Sequence, residues 1–289
     1  MFEGIYTAIV TPFTESGEVD FDTLGELIES QVKGGVSGLV PVGTTGESPT
    51  LNMDEHQQVI EFTIERLAGR GKVIAGTGGN STAEALELTQ HAKEAGADGC
   101  LQVTPYYNKP SQRGLIKHFT AIADVGLPVV LYNIPGRTSR ELTVDTVVEL
   151  SRHPQIVCMK EAAGDVDRVS AYRAACDIEV VSGDDILTLP MMSVGAVGVI
   201  SVAANVVPAE VVRMVQSALN GDWAEAQATH HKLYPLFKGL FLDTNPVPVK
   251  AALAMMGAIQ EVYRLPMCEM ADADKARLRE TMVSLGLID

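Results

Sequence analysis

The chain has 289 residues, of which 46% are hydrophobic and 20% are charged, so it can bury a full core as one large α/β domain or as two domains. Its formal net charge of −15 argues against a nucleic-acid partner, because binding to a phosphate backbone needs a concentrated basic surface. The start Met-Phe-Glu-Gly has no basic segment followed by an apolar one, and no apolar run approaches membrane-spanning length, so we expect a soluble, cytoplasmic protein without a membrane partner.

Eight apolar, strand-like runs recur along the chain, at 6–12, 38–43, 73–78, 99–105, 128–135, 156–162, 178–183 and 195–203. Amphipathic stretches lie between them, among them 22–33, 53–69, 82–94, 115–123 and 144–152, several opened by Asp, Ser or Thr caps. Continuous apolar strands are typical of a parallel sheet that is covered on both faces. Eight such units predict an α/β fold, a (β/α)8 TIM barrel, with an open doubly wound sheet as the alternative.

The strand-like runs stop after Val207, and the rest of the chain has helical character. The stretches 225–242, 247–259 and 272–285 are predicted helices, and Pro246, Pro248 and Pro266 mark the turns. We therefore predict a catalytic barrel over residues 1–224 and a C-terminal α-helical appendage over residues 225–289.

A lone lysine, Lys160, stands in the sixth apolar run. Burial disfavours an ammonium group, so a lysine whose stem is packed in a barrel has its pKa lowered toward the neutral, nucleophilic amine. Such an amine is suited to imine formation with a small keto acid. On this segment alone, a lysine that extends from the strand end to water fits equally well. Strand alternation places Lys160 on one face with Cys158 and Ile156, and we expect the Tyr132 hydroxyl near it.

Polar side chains follow several of the other predicted strands. Thr44 and Thr45 lie in a glycine-flanked turn after the second strand, Tyr107 follows the fourth, and Tyr132 and Arg137 belong to the end of the fifth. A phenol with a depressed pKa can transfer protons, and a guanidinium matches a carboxylate. Taken singly, these residues fit an ordinary turn, aromatic packing and a surface charge equally well. Together they fit carbonyl chemistry on a small acidic molecule.

Metal and nucleotide sites are not indicated. The glycines at 76–79 do not complete G-x-G-x-x-G, because Ser81 occupies the last position. The adjacent pair His230 and His231 cannot face one side of a helix, and Asp184 and Asp185 fit a helix cap. Four scattered cysteines indicate neither a disulfide framework nor zinc. We expect no metal and no cofactor.

Over nearly its whole length the chain resembles the dihydrodipicolinate synthase family, within the pyruvate-dependent, lysine Schiff-base aldolases. The segments that carry the resemblance are AIVTP (8–12), GTTGE (43–47), AGTG (75–78), VTPYYN (103–108), YNIPGR (132–137), KEA (160–162), SGD (182–184) and GVIS (198–201). The resemblance implies condensation of pyruvate with L-aspartate-4-semialdehyde to 4-hydroxy-tetrahydrodipicolinate, in the diaminopimelate route to lysine. It implies no cofactor.

The resemblance also implies roles for individual residues. Lys160 matches the Schiff-base lysine and Tyr132 the general acid/base, while Thr44 and Tyr107 match the rest of a proton relay. In that family the position of Tyr107 reaches in from a neighbouring subunit, which implies a dimer and, for the whole assembly, a homotetramer built as a dimer of dimers.

A second set of matching residues is implied to bind the substrates. Thr45, Ile200 and Gly183 fall at the pyruvate, and Arg137 falls at the pocket entrance, where it binds the carboxylate of the semialdehyde. Relatives of the N-acetylneuraminate lyase type typically lack this arginine, so the synthase is favoured over such a lyase. A non-catalytic barrel that senses a keto acid is the alternative from another class.

Feedback inhibition by L-lysine is a further expectation from the resemblance. The matching allosteric positions are Ser48, His56, Asn80, Glu84 and Tyr106, whereas Pro49 and Met53 depart from the usual alanine and histidine. His56 on a helix surface and Glu84 as a solvated first-turn acid are the alternative interpretations.

Overall fold

Eight parallel strands close into a barrel in chain order, in a computed structural model that describes residues 1–289. The strands are β1 (Gly4–Ala8), β2 (Gly38–Val40), β3 (Lys72–Gly76), β4 (Gly99–Val103), β5 (Val129–Asn133), β6 (Ile156–Glu161), β7 (Glu179–Ser182) and β8 (Gly198–Ser201). Each of the eight predicted runs overlaps one of them, although β1 begins two residues before its run and β3 one residue before its run. The predicted TIM barrel is confirmed, and the open-sheet alternative is wrong because β1 pairs with β8.

Twelve α-helices surround and follow the barrel. They are α1 (Phe21–Gly34), α2 (Met53–Leu67), α3 (Thr82–Ala95), α4 (Gln112–Ala123), α5 (Pro135–Thr138), α6 (Val144–Leu150), α7 (Asp167–Ala175), α8 (Thr188–Ser193), α9 (Pro208–Leu219), α10 (Trp223–Gly239), α11 (Val247–Met255) and α12 (Asp272–Ser284). Short 3-10 helices lie at Ser48–Thr50 and Ala203–Asn205. No helix is long and apolar enough to cross a membrane.

The sequence did not single out α5, α7, α8 or α9. The helices α5 and α8 have four and six residues, too few to display a helical period. In α7 only Val169 and Tyr172 are buried, so its apolar stripe is thin. The helix α9 begins at Pro208, soon after the last apolar run. A proline at this position is typical of a turn as well as of a helix start, so the sequence did not distinguish the two.

Local capping sets the start of the helix that follows the glycine-rich turn. The Asn52 side chain accepts a hydrogen bond from the Glu55 backbone N–H at 2.9 Å, and the Glu55 carboxylate accepts one from the Asn52 N–H at 3.0 Å. This reciprocal capping box satisfies two free backbone donors of α2. The helix α2 therefore begins at Met53, after the short 3-10 helix Ser48–Thr50.

The core has two layers, one inside the barrel and one between the strands and helices. Eleven buried side chains fill the interior, and 61 form the outer cluster. Cys158 lies in the interior, as predicted, but Ile156 packs in the outer cluster, so its predicted face is wrong. The cause is a register shift, because Val129 pairs with Ile156 while Val130 pairs with Cys158. Val157 is left unpaired, and the alternation resumes only after it.

The C-terminal helices share the outer cluster with the barrel. Leu236 and Phe237 of α10, Val249 of α11, and Leu278 and Met282 of α12 all belong to it. The helix α10 packs along α9 of the barrel, and α12 packs against α10 and α11. The division into residues 1–224 and 225–289 stays a prediction.

Candidate active site

A small cavity lies where the barrel strands end, on the face where barrel enzymes build their sites. Its volume is about 50 Å³, and six predicted site residues line it: Thr44, Thr45, Tyr132, Arg137, Lys160 and Gly183. A second, outer cavity of about 180 Å³ shares Thr44, Tyr132 and Arg137 with the first. The two cavities therefore form one concave region with Lys160 at its inner end.

Lys160 ends in the barrel interior with only 5% of its surface exposed. Its Nζ lies 4.2 Å from the centroid of the Tyr132 ring, so the amine faces the phenol ring. The expected nearness of the Tyr132 hydroxyl stays a prediction. Burial lowers the pKa of Lys160 to about 7, the nearby Asp185 charge opposes this shift, and Arg137 adds to it. A substantial fraction of the amine is therefore neutral near pH 7. The alternative in which Lys160 extends to solvent is wrong.

Gly183 leaves the space that the lysine stem occupies. A Cβ at this position would lie 2.9 Å from Cε and 3.2 Å from Cγ of Lys160, and 2.8 Å from the Cβ of Ala162. These distances are too short for carbon atoms in contact, so a side chain here would displace Lys160. The glycine is required by close approach rather than by an unusual φ.

Tyr132 is buried beside the amine, with 5% of its surface exposed. Burial raises the pKa of Tyr132 to about 12, although the Arg137 charge and hydrogen bonding to the Thr44 hydroxyl both act to lower it. The pKa of this phenol is therefore raised and not depressed. At neutral pH the phenol holds its proton and can donate it.

Asn245 joins two of the predicted substrate-binding residues. Its Nδ2 donates a hydrogen bond to Thr45 Oγ1 at 3.0 Å, and its backbone carbonyl accepts one from Arg137 Nη2 at 3.0 Å. The Asn245 Oδ1 is buried without a hydrogen-bond partner, and the residue lines the inner cavity. Sequence reasoning missed Asn245, because it lies 200 residues from Thr45 in the chain.

Two of the predicted catalytic and substrate-binding residues, Ile200 and Tyr107, lie outside the cavities. Ile200 packs in the interior layer of β8 with 1% exposure, and the cavity lining after this strand comes from Val202 instead. Tyr107 is 91% exposed and adopts a left-handed backbone, with φ of 71°. Within one chain, the Tyr107 phenol is therefore directed to solvent and does not contact Tyr132.

The predicted regulatory residues are divided between the outer cavity and its surroundings. Ser48 and Tyr106 line this cavity, and burial together with the Glu84 charge raises the pKa of Tyr106. His56 is buried, so its interpretation as a helix-surface residue is wrong. Its Nε2 lies 2.9 Å from the Gly76 carbonyl oxygen, and burial lowers the pKa of His56 to about 4, which keeps the ring neutral. Asn80 accepts a hydrogen bond at its carbonyl from Asn108.

The pair Asp184 and Asp185 serves the backbone. Asp185 accepts hydrogen bonds from the Ser201 hydroxyl and from the N–H groups of Val202 and Ala203. Asp184 accepts one from the N–H of Ile186. No group of three or more His, Cys, Asp or Glu side chains is arranged to hold a metal ion.

The fold and the site define a class: (β/α)8 barrels that present a desolvated lysine amine and a phenol at the carboxyl ends of their strands. The chain belongs to the dihydrodipicolinate synthetase family, whose sequence model matches residues 1–284. It is 52% identical to the 4-hydroxy-tetrahydrodipicolinate synthase of Aquifex aeolicus strain VF5, with 99% of each chain covered.

Two solved structures are similar along their whole length. One is the chloride-inhibited dihydrodipicolinate synthase of Acinetobacter baumannii complexed with pyruvate, which is 44% identical with a TM-score of 0.98 and full coverage of both chains. The other is the enzyme of Cyanidioschyzon merolae with lysine bound, which is 40% identical with a TM-score of 0.96 and 99% of each chain covered.

Proposed function

We propose that this chain is a 4-hydroxy-tetrahydrodipicolinate synthase, a lyase of diaminopimelate and lysine biosynthesis. It condenses pyruvate with L-aspartate-4-semialdehyde through a Schiff base on Lys160. The observation that carries the proposal is the Lys160 amine, buried at the catalytic end of the barrel with its pKa lowered to about 7. The full-length relative of the same name and the similar structure with pyruvate support the choice of substrate.

The reaction begins when the neutral Nζ of Lys160 attacks the keto carbon of pyruvate. The Tyr132 phenol donates a proton to the departing hydroxyl, water leaves, and the imine forms. The imine makes the pyruvate methyl group acidic, so loss of a proton gives an enamine. The enamine carbon attacks the aldehyde carbon of the second substrate, whose amine then adds to the imine carbon. Closure of this ring releases Lys160 as the free amine.

Each proton transfer needs a group that can both donate and accept. Tyr132 and Thr44 face one cavity, and their hydroxyls supply two members of such a relay. We assign Tyr107 as a third member that acts in the cavity of a neighbouring copy, because its exposed phenol does not contact its own cavity. The active protein is then a homo-oligomer, and we propose a tetramer built as a dimer of dimers in the cytoplasm.

Carboxylate recognition falls to Thr45 and Arg137. The Thr45 hydroxyl accepts a hydrogen bond from Asn245, so its own proton is free to donate to the pyruvate carboxylate. Arg137 lines both cavities and presents its fork to the carboxylate of the semialdehyde. In the proposed assignment Gly183 admits the lysine stem, and Ile200 contributes a backbone contact at the pyruvate.

Reduction with borohydride in the presence of pyruvate tests the proposal. We expect a stable pyruvate adduct on Lys160, assigned by peptide mapping. A second buried lysine, Lys250, is the internal control and should carry no adduct. In an assay coupled to a dipicolinate reductase, we also expect turnover of pyruvate and aspartate semialdehyde. Pyruvate binding without an adduct would favour a keto-acid sensor, and an adduct without turnover of the semialdehyde would favour a lyase of the N-acetylneuraminate type.

We also propose that L-lysine inhibits the enzyme by binding at the outer cavity. Ser48 and Tyr106 line this cavity, the Glu84 charge acts on Tyr106, and Asn80 follows the lining residue Gly78 by two positions in the chain. His56 contacts the carbonyl of the lining residue Gly76 as a neutral ring. The similar structure with lysine bound supports this ligand. Activity measured across millimolar L-lysine should fall, and Glu84→Gln should weaken the response. A flat response in the wild type would contradict the proposal.

A further inference from the structure

A buried carboxylate lies behind the lysine, on the outer face of the barrel wall. Glu161 follows Lys160 in β6 and is completely buried. The Asn133 Nδ2 of β5, also completely buried, lies 3.1 Å from each of the two Glu161 carboxylate oxygens. Because Tyr132 pairs with Lys160 and Asn133 pairs with Glu161, this contact is one residue from the amine and the phenol.

The helix α7 and the turn after β6 supply further donors to the same carboxylate. Arg168 Nε donates to Oε2 at 3.0 Å, the Tyr172 hydroxyl donates to Oε2 at 2.9 Å, and the Ala163 N–H donates to Oε1 at 2.7 Å. We call Asn133, Glu161, Arg168 and Tyr172 the Glu161 cluster. Every carboxylate oxygen in it has at least two donors, so the buried charge is fully hydrogen-bonded.

The cluster also holds the segment that follows the short helix α5. The Asn133 Oδ1 accepts a hydrogen bond from the Leu142 N–H at 3.0 Å, and Arg168 Nη2 donates to the Leu142 carbonyl at 2.5 Å. Arg168 pairs in addition with Glu141. The short helix α5 carries Arg137. The Glu161 cluster therefore connects the strands of Tyr132 and Lys160 with Glu141 and Leu142, which follow that helix.

A buried ion pair of this kind needs a reason other than stability, because well-packed apolar residues of similar size stabilise a core as well or better. Position is a reason that the geometry supplies. Side chains alternate across a strand, so a polar contact on the outer face fixes the register of the neighbouring residues on the inner face. In β5 the register shift at Val129 and Val130 comes before Tyr132, and the contact of Asn133 with Glu161 comes directly after Tyr132. This contact can therefore fix the register of β5 and β6 at Tyr132 and Lys160.

We propose that Glu161 is a positioning residue for the imine-forming pair, holding the Lys160 amine and the Tyr132 phenol in their mutual geometry through Asn133 and Arg168. This inference rests on the proposed imine chemistry of Lys160. The Glu161 carboxylate lies on the outer face of the wall and contacts no substrate. Its effect is on the rate at which a correctly folded site reacts.

The test is the time course of borohydride trapping with saturating pyruvate, in wild type and in Glu161→Gln. The amplitude counts the folded sites, and the rate constant reports their reactivity. We expect Glu161→Gln to keep the wild-type amplitude and to lose a factor of about 10 to 100 in the rate constant, since small misplacements of reacting groups have effects of this size. Tyr172→Phe, which removes one donor, should fold and show a smaller loss.

Glu179→Gln is the matched control, because Glu179 is a partly buried glutamate of the adjacent strand β7 at the opposite end of the barrel. It should trap at the wild-type rate. A reduced amplitude with an unchanged rate constant in Glu161→Gln and Tyr172→Phe would show a role in folding alone and overturn the positioning role. Absence of trapping in the wild type would instead overturn the proposed function.

Discussion

Lys160 should destabilise the folded protein, and its replacement by methionine should reveal by how much. In the unfolded chain the amine has its ordinary pKa of 10.5, whereas burial lowers the pKa of the folded amine to about 7. Below pH 10.5 the unfolded state therefore binds more protons at this residue than the folded state. Because stability rises with pH wherever the unfolded state binds more protons, Lys160 destabilises the protein increasingly as the pH falls from 10.5 to about 7.

The size of the effect follows from the difference of about 3.5 pH units, which corresponds to about 5 kcal/mol at pH values below 7. The same linkage gives about 3 kcal/mol at pH 8 and almost nothing at pH 10.5 and above. Methionine fills similar space without a charge, so Lys160→Met should gain most of this free energy. We expect the free energy of unfolding of Lys160→Met to exceed that of the wild type by a margin that shrinks as the pH rises.

Urea denaturation between pH 6 and pH 10.5 measures this margin, at one protein concentration because oligomers gain stability with concentration. Lys117→Met, which removes an exposed lysine of α4, is the matched control and should differ from the wild type by a margin that does not vary with pH. Parallel curves for Lys160→Met and wild type across this range would refute the assignment of a desolvated amine.

Three further substitutions test two residues of the site and a second buried lysine. Gly183→Ala places a Cβ 2.9 Å from Lys160 Cε, so we expect about 1 to 3 kcal/mol of destabilisation and slower trapping of pyruvate; wild-type denaturation and trapping would contradict the close-approach argument. Lys250→Met leaves the Glu47 carboxylate, 2.5 Å away in the wild type, buried without its partner and should lower stability by about 3 to 5 kcal/mol. The double variant Lys250→Met/Glu47→Gln should recover most of the loss on urea denaturation, and equal loss in both would exclude a buried charge as the cause. Arg137→Ala should raise the semialdehyde KM and lower turnover, by about 1.5 to 3 kcal/mol in transition-state binding, while pyruvate trapping survives; unchanged kinetics would remove its role.

The barrel and much of its site could be predicted because parallel strands are apolar throughout and catalytic residues follow their ends. Eight apolar runs identified the strands, and Lys160 stood out as the only lysine in them. The register shift that turns Ile156 outward could not be predicted, because it depends on pairing with another strand. Asn245 could not be predicted either, since its position beside Thr45 is a product of the tertiary fold.

The direction of the Tyr132 pKa shows a second limit of the sequence. The sequence shows which residue types lie near the phenol at the strand end, and one of them, the cation Arg137, lowers the pKa of Tyr132. The amount of burial was not visible, and burial has the larger effect, so the pKa rises. Sequence patterns identify which groups meet at a strand end, whereas the balance between their charges and their desolvation depends on the packed cavity.

Burial acts on the two reacting groups in complementary ways. It disfavours the charged form of each, so the pKa of Lys160 falls to about 7 while the pKa of Tyr132 rises to about 12. At neutral pH the cavity therefore presents a nucleophile and a proton donor, the pair that imine formation requires. Arg137 lowers both pKa values. A substrate carboxylate that enters beside it carries a charge that acts in the opposite direction. Removal of Arg137 should consequently move the pH midpoint of pyruvate trapping upward, and an unmoved midpoint would mean that the arginine binds the carboxylate without affecting the amine.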